Sequence, residues 1–156
     1  MDTEALIRLV IIDLVILVGL AALIGLIAPR CPDRWFARDW GPLTLTRWDR
    51  VAIYRRSGIP WCARWLPEGG SWLGGASKSS LFGMDVDSLR AYLVEVRRGE
   101  WVHVIAAFTF LVLVPFNPWQ LILLWFLIIF VGNLVFFLVL RYNQLRLTSI
   151  LERMTR

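Results

Sequence analysis

The sequence has 156 residues, of which 58% are hydrophobic, 13% aromatic and only 19% charged, and its mean hydropathy is +0.61. A water-soluble domain of this length buries only about 60–70% of the surface that its unfolded chain exposes, so it could not hide this much apolar surface. The same composition excludes an intrinsically disordered chain, and the length argues against a modular multi-domain enzyme. The sequence therefore predicts a single integral membrane domain.

The net charge of +5 comes from 17 Lys and Arg residues against 12 Asp and Glu residues, and all the basic residues except Lys78 are arginine. In a chain this apolar, such a charge is better explained by membrane topology and by phosphate-bearing partners than by nucleic acid, so we expect no nucleic-acid partner. Cys31 and Cys62 follow no metal-binding spacing, and no other metal cluster is visible. We therefore predict reduced thiols and no metal site.

The first apolar stretch runs from Ala5 to Ala28 and is interrupted only by Arg8 and Asp13. At ~1.5 Å per residue it is long enough to cross a hydrocarbon layer of ~30 Å. A cleaved signal peptide fits poorly, because acidic rather than basic residues precede the apolar run and the run is too long. We therefore predict a retained first span, with Arg8 and Asp13 packed against other polar groups of the bundle.

The segment 29–84 interleaves six tryptophans with seven arginines that follow Arg30. Indole rings and arginine side chains are favoured in the headgroup layer, because each has an apolar part and a polar end. The pattern predicts an interfacial segment rather than a soluble domain. It is open whether this segment only anchors the protein or also forms a groove for an amphipathic or phosphorylated substrate.

Residues 85–99 carry apolar side chains at three- and four-residue spacing, which predicts an amphipathic helix with Asp87 as its N-cap. A second apolar block, 101–140, is interrupted at residues 115–118. Within that interruption Asn117 is a typical N-cap and Pro118 a typical first helical residue. The block therefore predicts a hairpin of two membrane-spanning helices.

Basic residues are concentrated between the first and second spans and again in the tail 141–156, whereas the first four residues carry only acids. The positive-inside rule then places the N-terminus outside and the C-terminus in the cytoplasm. The predicted fold is an all-α, multi-pass cell-membrane protein with about three transmembrane helices and a Trp/Arg-rich interfacial cytoplasmic segment. In chain order the predicted parts are span 1 (5–28), the interfacial segment (29–84), the amphipathic helix (85–99), span 2 (100–116), span 3 (118–140) and the basic tail (141–156).

Ionisable and strongly polar side chains inside the hairpin mark a candidate functional site, since such groups are costly near hydrocarbon. Glu100 and His103 are three residues apart and share a helix face, so we expect the carboxylate to accept a hydrogen bond from the imidazole. Asn133 lies about as far beyond the hairpin turn as His103 lies before it, which predicts equal depth, and Gly132 is expected to allow close helix approach. A carboxylate-oriented histidine is suited to general-base chemistry, although these polar residues can equally serve only to join the two helices.

Two arginines and an asparagine follow span 3. Arg141, Asn143 and Arg146 lie about two turns beyond Asn133, and arginines at such positions can bind phosphate or pyrophosphate through charge-assisted hydrogen bonds. Ordinary positive-inside flanking explains the same two arginines, and both interpretations stay open. The Gly-rich stretch 69–78 lacks the adjacent Gly-Lys of a P-loop and is interpreted as an interfacial turn.

A series of short motifs follows in order along residues 30–150. They are Arg30-Cys31-Pro32-Asp33-Arg34-Trp35-Phe36, Leu66-Pro67, Lys78 with Leu81, Glu95-Val96-Arg97-Arg98-Gly99-Glu100-Trp101-Val102-His103, Phe116-Asn117, Asn133, Arg141-Tyr142-Asn143 and Arg146-Leu147-Thr148. Through these motifs the chain resembles the glycosyl-4,4′-diaponeurosporenoate acyltransferase family, small membrane enzymes that acylate the sugar of a carotenoid glycoside. Each motif is short, and the specificity of the resemblance lies in their shared order and spacing.

The resemblance implies transfer of a fatty acyl group from an activated donor, with acyl-CoA as co-substrate and no bound cofactor, to a sugar hydroxyl of a lipid-linked glycoside. It implies His103 as general base, Glu100 as its orienting carboxylate and Asn133 as a hydrogen-bonding support or oxyanion donor. The donor phosphates would be held on the cytoplasmic side by Arg141, Asn143, Arg146 and Lys78.

Two other classes of function stay open. One is a non-catalytic membrane subunit that scaffolds a lipid-modifying or transport complex, and the other is a lipid methyltransferase or reductase. The partners expected for the enzyme are a membrane lipid or glycolipid acceptor and an acyl donor. A homo-oligomer is possible.

Overall fold

The computed structural model describes residues 2–65 and 85–156, and within these ranges the chain is helical and contains no strand. The α-helices, in chain order, are α1 (Thr3–Ile27), α2 (Val51–Arg56), α3 (Ile59–Trp65), α4 (Val86–Ala107), α5 (Trp119–Trp125) and α6 (Val131–Met154). Short 3₁₀ turns occur at Ala28–Arg30, Asp33–Trp35 and Gly41–Leu43, a longer 3₁₀ stretch occupies Thr109–Phe116, and a π-helical turn at Phe126–Phe130 joins α5 to α6.

Three helical stretches in the described part of the chain are long and apolar enough to cross a membrane. They are Thr3–Arg30, Val86–Phe116 and Trp119–Met154, hereafter spans 1, 2 and 3. Much of their apolar surface points outward, as for Val15 and Val18 on α1, which is the arrangement expected of helices that contact lipid. The prediction of an all-α protein with three membrane-spanning helices is therefore confirmed.

The sequence predicts an amphipathic helix (85–99) followed by a separate span (100–116). In the structure the amphipathic helix and the start of that span form one continuous helix, α4. Its N-cap is Asp85, whose Oδ1 accepts a hydrogen bond from the Ser88 backbone N–H at 2.8 Å. The expectation that Asp87 caps the helix is wrong, because Asp87 lies in the first turn and pairs with Arg90 instead. A carboxylate two residues earlier already satisfies one of the free N–H groups of the first turn.

The start of span 3 also differs from expectation. Helix α5 begins at Trp119, with Pro118 as its N-cap residue and no side-chain cap. The Asn117 side chain instead donates to the carboxylate of Asp13 on α1 (3.0 Å) and to the Leu113 carbonyl oxygen (3.1 Å). These two bonds fix the amide through its nitrogen, and Oδ1, the atom that would cap the helix, has no partner among the described residues. A charge-assisted tertiary contact is thus formed where a local cap was predicted.

Helices α4 and α6 form the central contact of the protein, through a cluster that includes Leu89, Val96 and Leu147. Their closest approach uses Gly99, where an added Cβ would lie 3.0 Å from Leu140 Cδ1. At Gly132 an added Cβ would meet nothing within 4 Å, so the expected close approach at Gly132 is wrong. The glycine that lets these two helices meet is therefore on span 2.

Span 1 packs against the far end of the hairpin. Leu17 of α1 joins a buried cluster with Phe110, Leu113, Leu121 and Trp125 around the turn between spans 2 and 3. The short helices α2 and α3 pack at the opposite end, on α6. The bundle therefore has a turn end, close to α1, and a polar end, where the segment after span 1 folds over α4 and α6.

Candidate functional site

His103 and Asn133 meet across the interface between α4 and α6, and the distance between Nδ1 of His103 and Oδ1 of Asn133 is 2.9 Å. The expected equal depth of these two residues is therefore confirmed. The amide nitrogen Nδ2 of Asn133 donates to the carbonyl oxygen of Ile129, one turn earlier, at 2.8 Å. This second bond settles which way the amide faces, so the atom presented to the histidine is an oxygen that can only accept.

The tautomer of His103 follows from that contact. Because Oδ1 of Asn133 accepts, Nδ1 carries the proton, and in the neutral ring Nε2 holds the lone pair. The ring also stacks on Phe136, with centroids 4.9 Å apart and planes 7° from parallel. Among the described residues, none forms a hydrogen bond with Nε2. The side chain is thus held in one orientation, with a basic nitrogen uncommitted.

Glu100 lies one turn before His103 and is completely buried, with 0% of its surface exposed. Its Oε2 accepts from Arg141 Nη1 at 3.0 Å, while Oε1 has no hydrogen-bonding partner within the described ranges. The expected hydrogen bond between Glu100 and His103 is therefore wrong. A buried carboxylate gains more from a charged guanidinium than from a neutral imidazole, and the asparagine on the opposite helix orients the histidine instead.

Arg141 is only 4% exposed, and all three of its guanidinium nitrogens are engaged. Its partners are the Leu43 carbonyl oxygen (2.8 Å), Gln144 Oε1 (3.1 Å), the Thr44 carbonyl oxygen, Glu100, and Asp49, whose Oδ1 lies 3.4 Å from Nε. The expectation that Arg141 holds phosphate is contradicted, because its donors are consumed inside the protein. It acts in this structure as the centre of a buried polar network.

Asp49 is held as a charged partner for Arg141 by its own neighbours. Tyr54 donates its hydroxyl to Oδ1 at 2.6 Å, and the backbone N–H and hydroxyl of Thr46 donate to Oδ2 at 2.7 and 2.8 Å. Burial by itself raises the pKa of the Asp49 carboxyl, but the hydrogen bonds from Tyr54 and Thr46, together with the Arg141 charge, outweigh it and hold that pKa below its usual value. The carboxylate therefore stays ionised near neutral pH.

The same pattern recurs at two arginines of α4. Arg97 forms an ion pair with Asp39 and donates to the carbonyl oxygens of Phe36 (3.3 Å) and Ala37 (3.0 Å). Arg98 pairs with Asp33 and with Glu95 (2.7 Å) and donates to the Cys31 carbonyl oxygen at 3.4 Å. We call residues 31–50 the strap, because Arg98, Arg97 and Arg141 hold its successive parts across the middle of α4 and α6.

Sequence reasoning missed the roles of Asp39, Asp49, Gln144 and Arg97 in this network. Their contacts with other elements join residues 58 or more positions apart, such as Arg97 with Asp39, and several use backbone carbonyl groups, which carry no side-chain signature. One signal was present in the sequence, since the three aspartates of the strap are unusual within so basic a segment.

The other predicted phosphate-binding residues are placed as follows. Arg146 is exposed, and its guanidinium carbon lies 5.7 Å from the Tyr142 ring centroid. Asn143 is half-buried. Lys78 lies outside the described residues. Arg146 is thus the predicted donor-binding arginine that the structure leaves accessible.

A separate polar contact lies at the turn end. Asp13 is 1% exposed, and its carboxylate accepts from Trp125 Nε1 at 2.7 Å and from Asn117 Nδ2 at 3.0 Å. The expectation that Asp13 packs against polar groups of the bundle is confirmed. Arg8, in contrast, pairs with Glu4 on the exposed surface of its own helix. The Asp13 contact ties span 1 to the hairpin.

Comparison with known proteins bears on what this arrangement does. A family model described as glycosyl-4,4′-diaponeurosporenoate acyltransferase matches residues 32–153, nearly the whole chain. The matched range includes the strap, both helices of the central contact and the His103–Asn133 pair. No curated protein and no solved structure matches the chain significantly. The chain belongs to the glycosyl-4,4′-diaponeurosporenoate acyltransferase family.

Proposed function

We propose that this protein is a membrane O-acyltransferase that transfers a fatty acyl group from acyl-CoA to a sugar hydroxyl of a carotenoid glycoside or a related lipid-linked glycoside. The family name supports acyl transfer involving a carotenoid glycoside. The observation that carries the rest is the His103 imidazole, which Asn133 and Phe136 hold so that Nε2 carries an uncommitted lone pair.

In the proposed reaction Nε2 accepts the proton of the sugar hydroxyl as that oxygen attacks the thioester carbonyl carbon. The C–S bond of the tetrahedral intermediate then breaks, and the departing thiolate takes the proton from the imidazolium. The products are an O-acyl glycoside and free CoA, and the histidine returns to its neutral form. General-base assistance of this kind accelerates a reaction by roughly 10²- to 10⁴-fold.

The two roles predicted for Asn133 are not supported equally. Oδ1 accepts from His103, and Nδ2 donates to the Ile129 carbonyl oxygen. These bonds favour the orienting role over that of an oxyanion donor. Asn133 is therefore proposed as the positioning residue for the base, the part that Glu100 was expected to play.

The Glu100–Arg141 pair is proposed to act indirectly. It holds the strap against α4 and α6 beside His103. Arg146 is the proposed donor-phosphate contact, with Asn143 and Lys78 remaining predictions for the same role. We place this site at the cytoplasmic face of the cell membrane, because the arginine-rich end of the bundle would face inward under the positive-inside rule and acyl-CoA is available there.

The test uses the full chain in lipid nanodiscs, with a radiolabelled acyl-CoA and a carotenoid glycoside as substrates. His103→Ala is expected to lower the initial rate of acyl transfer by about 10²- to 10⁴-fold. Trp119→Phe is the control, because Trp119 is exposed at the start of α5 and has no contact with His103 or Asn133, so the rate should be unchanged.

Thermal unfolding of both variants separates loss of the base from loss of the fold. A His103→Ala protein that is folded and acylates the glycoside at the wild-type rate would overturn the proposal. Such a result, together with co-purification of a stoichiometric partner protein, would favour the scaffolding alternative.

A further inference from the structure

The strap separates its charges between two faces. All three of its acidic residues turn toward the helices, where Asp33 pairs with Arg98, Asp39 with Arg97 and Asp49 with Arg141. Phe36 and Leu43 are buried on the same side. The acidic and buried apolar side chains of the strap are therefore all in contact with α4 and α6.

The exposed surface of the strap is rich in basic and aromatic side chains, although the Asp33 side chain, which pairs with Arg98, is also largely exposed. The exposed basic and aromatic residues that do not contact α4 are Arg34, Trp35, Arg38, Arg47, Trp48 and Arg50. None of the four arginines forms an ion pair with any residue in the described ranges, and Trp48 is 68% exposed. By sequence the strap holds four basic and three acidic residues, yet its acids pair with arginines of α4 and α6 and leave its own four arginines without an ion pair among the described residues.

We propose that this exposed surface of the strap binds the headgroup layer of anionic phospholipids. Guanidinium groups bind phosphate through paired charge-assisted hydrogen bonds, and indole rings insert at the level of the headgroups. A basic residue close to an anionic bilayer surface contributes about 1 kcal/mol, so four unpaired arginines provide substantial selectivity over a zwitterionic surface.

The occupant is a lipid surface rather than a single soluble phosphate ligand for a geometric reason. Exposed arginines and tryptophans alternate along the whole strap, a pattern that suits an extended headgroup layer better than a single ligand. The strap also follows directly on the end of span 1 and crosses α4 at Arg97 and α6 at Arg141, so we place it at the level where a bilayer surface would meet the protein. This proposal does not depend on the acyltransferase reaction.

The test measures which lipid the full chain retains in mixed micelles that hold equimolar phosphatidylglycerol and phosphatidylcholine with identical acyl chains. Native mass spectrometry counts the bound molecules of each lipid. The wild-type chain is expected to retain phosphatidylglycerol preferentially at low salt and to lose that preference as salt screens the charges. Arg34→Gln/Arg38→Gln is expected to lower the preference by about 25-fold, since each arginine near the surface is worth about a fivefold change and the two changes multiply.

The matched control is Arg153→Gln/Arg156→Gln, which removes the same charge from exposed arginines of the C-terminal tail and is expected to keep most of the preference. Equal losses in the two double variants, or a wild-type chain with no preference at any salt concentration, would overturn the proposal. It would also be overturned if Arg34→Gln/Arg38→Gln raised the KM for acyl-CoA while lipid retention stayed unchanged, because the surface would then serve the donor. The salt dependence of lipid retention by the wild-type chain tests the proposal even if a variant fails to fold.

Discussion

The interface between α4 and α6 contains two polar layers, which lie about one helical turn apart on α4 and about two turns apart on α6. They differ in whether the nitrogens of the central side chain, Arg141 or His103, are all hydrogen-bonded. In the Glu100–Arg141 layer every guanidinium nitrogen is engaged, by side chains or by strap carbonyl groups. In the His103–Asn133 layer one hydrogen bond orients the ring, and Nε2 has no partner in the described part of the chain. Sequence reasoning placed residues of both layers in one catalytic site.

The difference teaches that burial of an ionisable group is a weak sign of catalysis when a fixed counter-charge neutralises that group. Arginine and glutamate in the first layer neutralise each other, and their pairing holds the strap against the helices. Histidine in the second layer is neutral and orientated, which is what proton transfer requires. The first layer should therefore govern stability, and the second should govern rate.

The largest expected effect breaks the first layer. Arg141→Met leaves the fully buried Glu100 carboxylate without its charged partner, and the free energy of unfolding should fall by about 3–5 kcal/mol. Denaturant unfolding in detergent measures it. The double variant Glu100→Gln/Arg141→Met removes the orphaned charge and should recover part of the loss. A single variant within about 1 kcal/mol of wild type would show that the pair does not support the fold.

A second prediction tests whether a polar contact outside both layers affects only stability. Trp125→Phe deletes the indole N–H that donates to the buried Asp13 carboxylate, and an unsatisfied buried acceptor costs about 1–3 kcal/mol. The acylation rate of the protein that stays folded should be unchanged. Trp119→Phe is the control, because Trp119 is 71% exposed and should show no change in unfolding. A loss of rate without a loss of stability in Trp125→Phe would contradict this assignment.

The third prediction concerns the second layer. Asn133→Leu removes the acceptor that keeps the proton on Nδ1, so the base is no longer held in its active tautomer. We expect the acylation rate to fall by about tenfold, equivalent to one hydrogen bond of about 0.5–1.5 kcal/mol, with a stability change of similar or smaller size. Asn133→Asp keeps an acceptor oxygen and should restore most of the rate. Equal rates in Asn133→Leu and wild type would remove Asn133 from the proposed machinery.

The smallest expected effect compares Gly99, which packs against α6, with Gly132, which faces open space on α6. Gly99→Ala places a methyl group 3.0 Å from Leu140 Cδ1, so the leucine must shift and the free energy of unfolding should fall by up to about 1 kcal/mol. Gly132→Ala meets open space, and the gain in helix propensity should stabilise the protein by about 0.5–1 kcal/mol. Thermal unfolding of the pair checks the opposite signs. If Gly132→Ala were the more damaging change, the closest approach of the helices would lie at Gly132 instead.

Composition and hydrophobic periodicity were enough to determine the membrane class, the three spans and the depth of His103 relative to Asn133. These properties depend on the length of an apolar run and on the constant rise of a helix, both of which can be counted along the chain. The sequence also placed Asp13 correctly among polar groups, because an acid inside an apolar helix must find a partner.

Only the tertiary structure decided which partner each polar group took. Glu100 had a histidine one turn away, yet it pairs with Arg141, and Asn117 gave up its expected capping role for Asp13 on another helix. Rules based on sequence spacing predict contacts only between neighbours on the same helix. A buried charged group instead pairs with the strongest hydrogen-bonding partner that the packing of other helices brings within reach. In this protein that partner came from a different span, and for the strap it included backbone carbonyl groups that no residue type identifies.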